Sequence, residues 1–278
     1  MKILHIVPGT NDVANGMVVV AKLLAKEQGE AEVVDLNHEI HESGVEEVWV
    51  HGIWLPKEWL ACWRALRAGK RLVRMTHGSL SPLYLKCQSP FKKWLVGPIE
   101  RWCLRCCAKI VATCEAEAEW IRAYEPRVKS IEVTDIKRFF NLNPVNPVNP
   151  VRKKLHLLYL GRRHPLKGLE LLEAAVKGIE GVELRVVSNA FGEEKEKVWK
   201  WCDVLVLPTL SDNFGLVIAE ALERGKRVIT TDGAPAWGDG NDYGGRLIYI
   251  KGYRNGTADK RVWMIKDAIV AQIGMGVR

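Results

Sequence analysis

Short aliphatic runs and stretches of helical period follow one another along nearly the whole chain. Before residue 143 the runs predict strands at Ile3–Val7, Glu32–Leu36, Glu47–His51, Arg71–Thr76, Lys109–Thr113 and Lys129–Thr134. Between them a 3.6-residue period predicts helices at Gly16–Lys26, Pro56–Ala68, Pro90–Ala108 and Glu115–Tyr124. Pro56 at a first helical position and Gly69 just past the end mark the second of these. After residue 151 the pattern resumes, with strands at Leu155–Leu160, Val182–Val187, Val204–Leu207, Arg227–Thr231 and, more weakly, Arg246–Ile250. Its helices fall at Lys167–Lys177, Glu193–Trp201, Phe214–Glu223 and Thr257–Ile273. Such alternation builds parallel sheets with helices on both faces, an α/β class.

The alternation breaks once, at Asn143-Pro-Val-Asn-Pro-Val-Asn-Pro-Val151. Proline at every third position removes backbone donors and blocks helix and central strand alike, so the segment reads as an extended, semi-rigid spacer. It divides the chain into a domain over 1–142, a linker over 143–151 and a domain over 152–278, with the last helix expected to pack back on the first domain. Ligands of open α/β sheets sit at the carboxyl ends of strands, so the loops there carry the candidate chemistry.

Four such loops stand out. Ser211-Asp-Asn-Phe-Gly-Leu-Val-Ile-Ala-Glu-Ala-Leu222 follows a strand and opens a helix, whose first N–H groups and dipole favour an anion. Gly215 lets a phosphate approach the backbone, and the Glu220 carboxylate can accept two hydrogen bonds from a ribose diol. The plainer reading makes Asp212 a helix cap and Glu220 a surface residue. Gly161-Arg-Arg-His-Pro-Leu-Lys-Gly168 places Arg162 and Lys167 at another strand mouth, two cations suited to a diphosphate. Read alone, it is a solvated charged loop. Asn15-Gly16 lies after the first strand in a Gly/Asn-rich loop that lacks the GxGxxG fingerprint; Gly16 is otherwise a helix-start turn. His77, in Thr76-His77-Gly78-Ser79, can bond a sugar hydroxyl or phosphate or carry a proton, or is a partly buried structural histidine.

The net charge of +8 favours an anionic partner: nucleic acid, a membrane surface or a phosphorylated small molecule. Between Lys86 and Lys109 six cations face one acid, Glu100, and Phe91, Trp94, Leu95 and Trp102 are interleaved. That pattern suits an anionic membrane, or equally a helix with its apolar face on the core and its basic face in water. Gly97-Pro98 is expected to split the stretch into two helices. No run is long enough to span a bilayer, and Pro8-Gly9 ends the first apolar run too early for a signal peptide, so the expected location is cytoplasmic. Seven cysteines without a secretion signal argue against a disulfide framework. Cys103, Cys106, Cys107 and Cys114 make only a weak zinc pattern. Most of the eleven tryptophans, among them Trp59, Trp63 and Trp263, sit at helical spacing and are expected in the core.

Taken together, these pieces resemble the family 4 glycosyltransferases of the GT-B fold, and within them bacterial enzymes that extend lipopolysaccharide or other surface glycans. Gly161-Arg162…Lys167-Gly168 is similar to that family's GR…KG motif, and Ser211–Leu222 to its ENFGxxxxEAL element. His77-Gly-Ser-Leu-Ser-Pro82 resembles its HGxLSP loop, Cys114-Glu-Ala-Glu-Ala-Glu119 its SEAE helix start, and Gly233-Ala-Pro-Ala-Trp237 its GxPW loop. The resemblance implies two Rossmann-like domains facing a central cleft, and a UDP- or GDP-sugar donor with no other cofactor and no metal. It implies that Arg162 and Lys167 hold the donor diphosphate, that Asn213, Phe214, Gly215 and Leu216 line the sugar and phosphate, and that Glu220 binds the ribose. Asn15, Gly16 and His77 would close over the transferred sugar from the N-terminal domain. Asp212 takes the place of the first glutamate in the family's Glu-x7-Glu pair, one methylene shorter. Transfer would proceed with retention to a glycan or glycolipid acceptor, at the inner face of the cytoplasmic membrane through residues 86–109. The other functions compatible with the residues are a GT-B-like epimerase, a non-catalytic GT-B-like partner and a basic nucleic-acid binder. Nucleic acid is not the expected partner.

Overall fold

The structure, a computed structural model, describes residues 2–10, 15–40, 44–143, 154–188 and 190–276. The chain divides into two compact units, one ending at Ile136 and the other beginning at Lys137. The Asn-Pro-Val repeat, apart from Asn143, lies outside the described residues.

The first unit runs β1 (Lys2–Val7), α1 (Gly16–Gln28), β2 (Ala31–Asp35), β3 (Val45–His51), α2 (Pro56–Arg67), β4 (Arg71–Met75), α3 (Pro82–Cys87), α4 (Pro90–Cys106), β5 (Lys109–Ala112), α5 (Glu115–Tyr124) and β6 (Ile131–Val133). Its six strands pair in the order β2-β1-β3-β4-β5-β6, all parallel. The sequence order reverses direction at β1/β3, so the crevice of this sheet lies at the carboxyl ends of those two strands. Leu4, Ile6, Val48 and Val50 on one face and Val7, Val73 and Val111 on the other are fully covered, as both faces of a parallel sheet require. Each such side chain contributes about 1.5–3 kcal/mol of burial.

The second unit runs β7 (Leu155–Leu160), α6 (Leu169–Val176), β8 (Val182–Val187), α7 (Gly192–Trp201), β9 (Val204–Leu207), α8 (Leu216–Glu223), β10 (Arg227–Thr231), β11 (Leu247–Ile250) and α9 (Ala258–Gly276). Its five strands are also parallel, in the order β11-β10-β9-β7-β8, with the reversal at β7/β9. The last helix, expected on the first domain, packs along α6 and β10 of its own unit.

Four local expectations are corrected. The stretch 90–106 is one helix, not two. Pro98 forfeits one helical bond, but Glu100, one half-turn on, is locked into the core and keeps the second half in register. Helix α8 begins at Leu216, not Phe214, because Gly215 takes a left-handed φ of 67° just before it. Residues 165–167 form a tight 3₁₀ turn rather than the start of α6. Trp63 and Trp263 are exposed, the latter by 63%, while Trp49, Trp54, Trp199 and Trp237 fill the cores.

The centre of the first unit holds a buried ion pair. Arg74 Nη2 lies 3.1 Å from Glu100 Oε2, both side chains fully covered. Arg74 Nε donates to Gly52 O at 3.2 Å, and Glu100 accepts from the Trp54 backbone N–H at 2.5 Å and from the Trp59 indole. The pair thereby ties β4, α2 and α4 together. Cys62, Cys103 and Cys107 are buried free thiols.

Candidate active site

In the second unit the two motif loops leave adjacent strands at the point where strand order reverses. The loop after β7 carries Arg162 and Lys167, and the loop after β9 carries Asp212, Asn213 and Phe214. One atom laces them: Leu166 O accepts from Leu210 N at 2.8 Å, from Ser211 N at 3.3 Å and from Thr209 Oγ1 at 2.9 Å. Gly168 permits this approach. It has φ of 70°, and a Cβ there would collide with the Pro208 carbonyl oxygen. The result brings Lys167 Nζ within 2.5 Å of Asp212 Oδ2. Asp212 N in turn donates to Gly233 O at 2.8 Å, which fixes the loop to the end of β10.

Arg162 is exposed at the rim, and its carbonyl accepts from Tyr159 Oη at 3.0 Å. Burial, reinforced by the Asp212 carboxylate, pushes the Tyr159 phenol up to about 12, so it remains a donor. Phe214 points into the core, its ring tilted against that of Trp237 with centroids 5.2 Å apart, and its carbonyl accepts from Trp237 Nε1. Only its backbone N–H can serve a ligand. Gly215 and Leu216 open α8, where the first N–H groups have no helical partner by construction. Among the described residues Asn213 Oδ1 is buried without a hydrogen-bond partner, an arrangement that a ligand's donor group would satisfy. Glu220, on α8, pairs with Lys195 of α7 at 2.7–2.9 Å.

In the first unit Asn15 caps α1, its Oδ1 accepting from Met17 N at 3.1 Å and its Nδ2 donating to Pro8 O at 2.6 Å. Gly16 is the first helical residue. Both follow the plainer sequence reading. His77 sits in the turn after β4 with φ of 50°, a region that histidine visits more readily than most residues. Glu117, at the start of α5, holds that turn. Its Oε1 accepts from Thr76 Oγ1 at 2.7 Å and Gly78 N at 2.6 Å, and its Oε2 from Thr113 N and Oγ1 at 2.8 and 2.9 Å. His77 Nε2 lies 2.9 Å from His51 Nδ1, and His51 Nε2 lies 2.9 Å from His5 Nδ1. Burial pulls His77 and His5 down to about 4, and His51 well below its usual value, so all three are neutral at physiological pH.

Sequence reading missed His5, His51 and Lys195, and gave Glu117, inside the SEAE-like helix start, no role of its own. A histidine in the middle of an otherwise aliphatic parallel strand, as at His5, was the one available signal. Lys195 looks like an ordinary helix-surface residue until the tertiary fold places it.

Residues 16–134 match the glycosyl transferase 4-like domain, and residues 145–267 match the glycosyl transferases group 1. The two matches together span most of the chain, and it is an enzyme of the glycosyltransferase class. No curated protein matches it significantly in sequence. Among solved structures it is similar to a sucrose-phosphate synthase from Thermosynechococcus elongatus, with 14% identity over 100% of this chain and 92% of that one, TM-score 0.68. It is also similar to HepE of Anabaena, solved in complex with UDP-glucose, with 16% identity over 97% and 90%, TM-score 0.65. The lipopolysaccharide outer core galactosyltransferase WaaB aligns at 15% identity over 98% and 91%, TM-score 0.58. These likenesses place the two parallel α/β units as the two domains of a GT-B fold.

Proposed function

We propose that the second unit binds a nucleoside diphosphate sugar, UDP- or GDP-linked, and that the enzyme transfers the sugar to a surface glycan such as lipopolysaccharide. The observation that carries this reading is the pair of loops joined at Leu166 O, which sets Lys167, Asp212 and the α8 start side by side at the β7/β9 switch point. Arg162, Lys167 and the N–H groups of Gly215 and Leu216 would hold the diphosphate and stabilise its charge as the glycosidic bond breaks. Asp212 and Asn213 would receive sugar hydroxyls, and Glu220, steadied by Lys195, the ribose diol. Cations and helix N–H groups together supply leaving-group stabilisation without a divalent ion, and the diphosphate leaving on the attacked face favours retention. The UDP-glucose in the HepE structure supports this donor class. His77, Asn15 and Gly16 are proposed to contact the transferred sugar.

The acceptor side is proposed to work at an anionic membrane surface. Helix α4 turns Phe91, Trp94, Leu95, Ile99 and Trp102 outward along one stripe, with Trp94 75% and Phe91 67% exposed. The opposite side of the same helix packs Val96, Cys103 and Leu104 on the core. Beside the stripe a groove of about 690 Å³ is lined by Lys93, Arg101, Arg105, Arg127 and Tyr124. Apolar side chains flanked by cations are what a headgroup layer of acidic lipid accepts. No helix among the described residues is long and apolar enough to cross a membrane.

The test is incubation with a panel of UDP- and GDP-sugars, scoring donor hydrolysis and transfer. Turnover that Glu220→Ala and Lys167→Ala each reduce by at least about tenfold, the cost of one charge-assisted contact, is the expected result. Turnover indifferent to both substitutions would remove the site from this account.

A further inference from the structure

Three histidines form a row across the sheet of the first unit, and the register explains why. His5 of β1 pairs with Trp49 of β3, so His51, two residues on, lies on the same face. His51 pairs with Met75 of β4, and His77 lies two residues past that. Each step across the sheet thus climbs two residues toward the carboxyl ends. The ring nitrogens meet at 2.9 Å at both junctions. His5 and His51 are fully buried, whereas His77 is partly exposed. At the inner end His5 Nε2 lies 2.7 Å from Gln28 Oε1, at the last residue of α1. Among the described residues no three His, Cys, Asp or Glu side chains are grouped to hold a metal ion.

A neutral imidazole has one N–H and one lone pair. In a row, every ring must point the same way, or two N–H groups or two lone pairs would face each other at 2.9 Å. The end of the row decides which way. Gln28 Oε1 can only accept, so His5 donates from Nε2 to Gln28. His51 then donates from Nε2 to His5 Nδ1, and His77 from Nε2 to His51 Nδ1. This leaves the His77 Nδ1 lone pair as the outer terminus of the row.

We propose that Gln28, His5 and His51 are positioning residues that fix His77 in its Nε2–H tautomer, so that Nδ1 accepts a hydrogen bond from a hydroxyl of the bound sugar or glycan. The row is not a proton exit, because it ends on an amide oxygen, a far weaker base than any ring nitrogen. It acts by orientation: a hydroxyl that donates to Nδ1 is favoured there, and a group that can only accept is rejected. The identity of the hydroxyl rests on the glycosyltransferase reading, but the tautomer does not.

The experiment is ¹⁵N–¹H correlation spectroscopy of the imidazoles in the full-length, ¹⁵N-histidine-labelled protein at neutral pH. In the wild type, His5, His51 and His77 are each expected to carry the proton on Nε2. Gln28→Leu and His5→Phe remove the terminal acceptor or cut the row, and each should raise the Nδ1–H population of His77 several-fold. A wild-type His77 protonated on Nδ1 overturns the proposal, as does a His77 tautomer unmoved in both variants. Should a variant not fold, the wild-type tautomer alone decides. Correct tautomers in a protein without glycosyl transfer would count against the proposed donor chemistry and leave the row intact.

Discussion

At the scale of single residues, the site depends on a few positions whose geometry tolerates no substitute. Gly168 is one, with a left-handed φ and the Pro208 carbonyl where a side chain would begin. Gly168→Ala should cost about 1–3 kcal/mol of stability, read from urea midpoints, and should weaken nucleotide binding by separating Lys167 from Asp212. A stable variant with unchanged binding would show that the loop is not set by this contact. The histidine row makes a second prediction. The unfolded imidazoles titrate near 6.5, whereas His5 and His77 are held at about 4 in the fold. Between those values the unfolded chain binds more protons. Stability is therefore fully present above pH 6.5 and falls as the pH drops toward 4, by about 3 kcal/mol for His5. His5→Phe should flatten that part of the urea-midpoint profile; an equally steep profile would mean other groups cause it.

At the scale of elements, Glu100 lets α4 run through Pro98 and holds α2 against it. Glu100→Ala leaves Arg74 charged and buried without its partner, a loss of about 3–5 kcal/mol, measurable by chemical denaturation. A loss under about 1 kcal/mol would show that Arg74 finds another acceptor. On the outer stripe of the same helix Phe91 and Trp94 are 67% and 75% exposed. Phe91→Glu with Trp94→Glu should leave the melting temperature within a degree or two and abolish co-sedimentation with acidic-lipid vesicles. Retained vesicle binding would put the contact elsewhere. Alternation alone identified every strand and nearly every helix, because a parallel sheet buried on both faces leaves its own aliphatic signature. The misses have local causes. Residues 82–87 are too short for a period to emerge, Pro98 sits in a helix fixed by a distant salt bridge, and the outward stripe of α4 looks identical in sequence to an inward one.

For the whole molecule, the sequence already contained the two motif loops and the cations that define the class. It did not contain the pairing of Lys167 with Asp212, of Glu220 with Lys195, or the histidine row, since each joins residues 25 to 46 positions apart that only the tertiary fold brings together. The +8 charge is now distributed over recognisable surfaces, the two motif loops and the flanks of α4. The central claim is that a nucleoside diphosphate binds at the β7/β9 switch point. Titration calorimetry of UDP and GDP against the wild type and Lys167→Ala tests it directly. One of the two nucleotides should bind at micromolar strength, about −8 kcal/mol, and at least tenfold more weakly to the variant. Absence of binding by either nucleotide, or equal binding to both proteins, would contradict it.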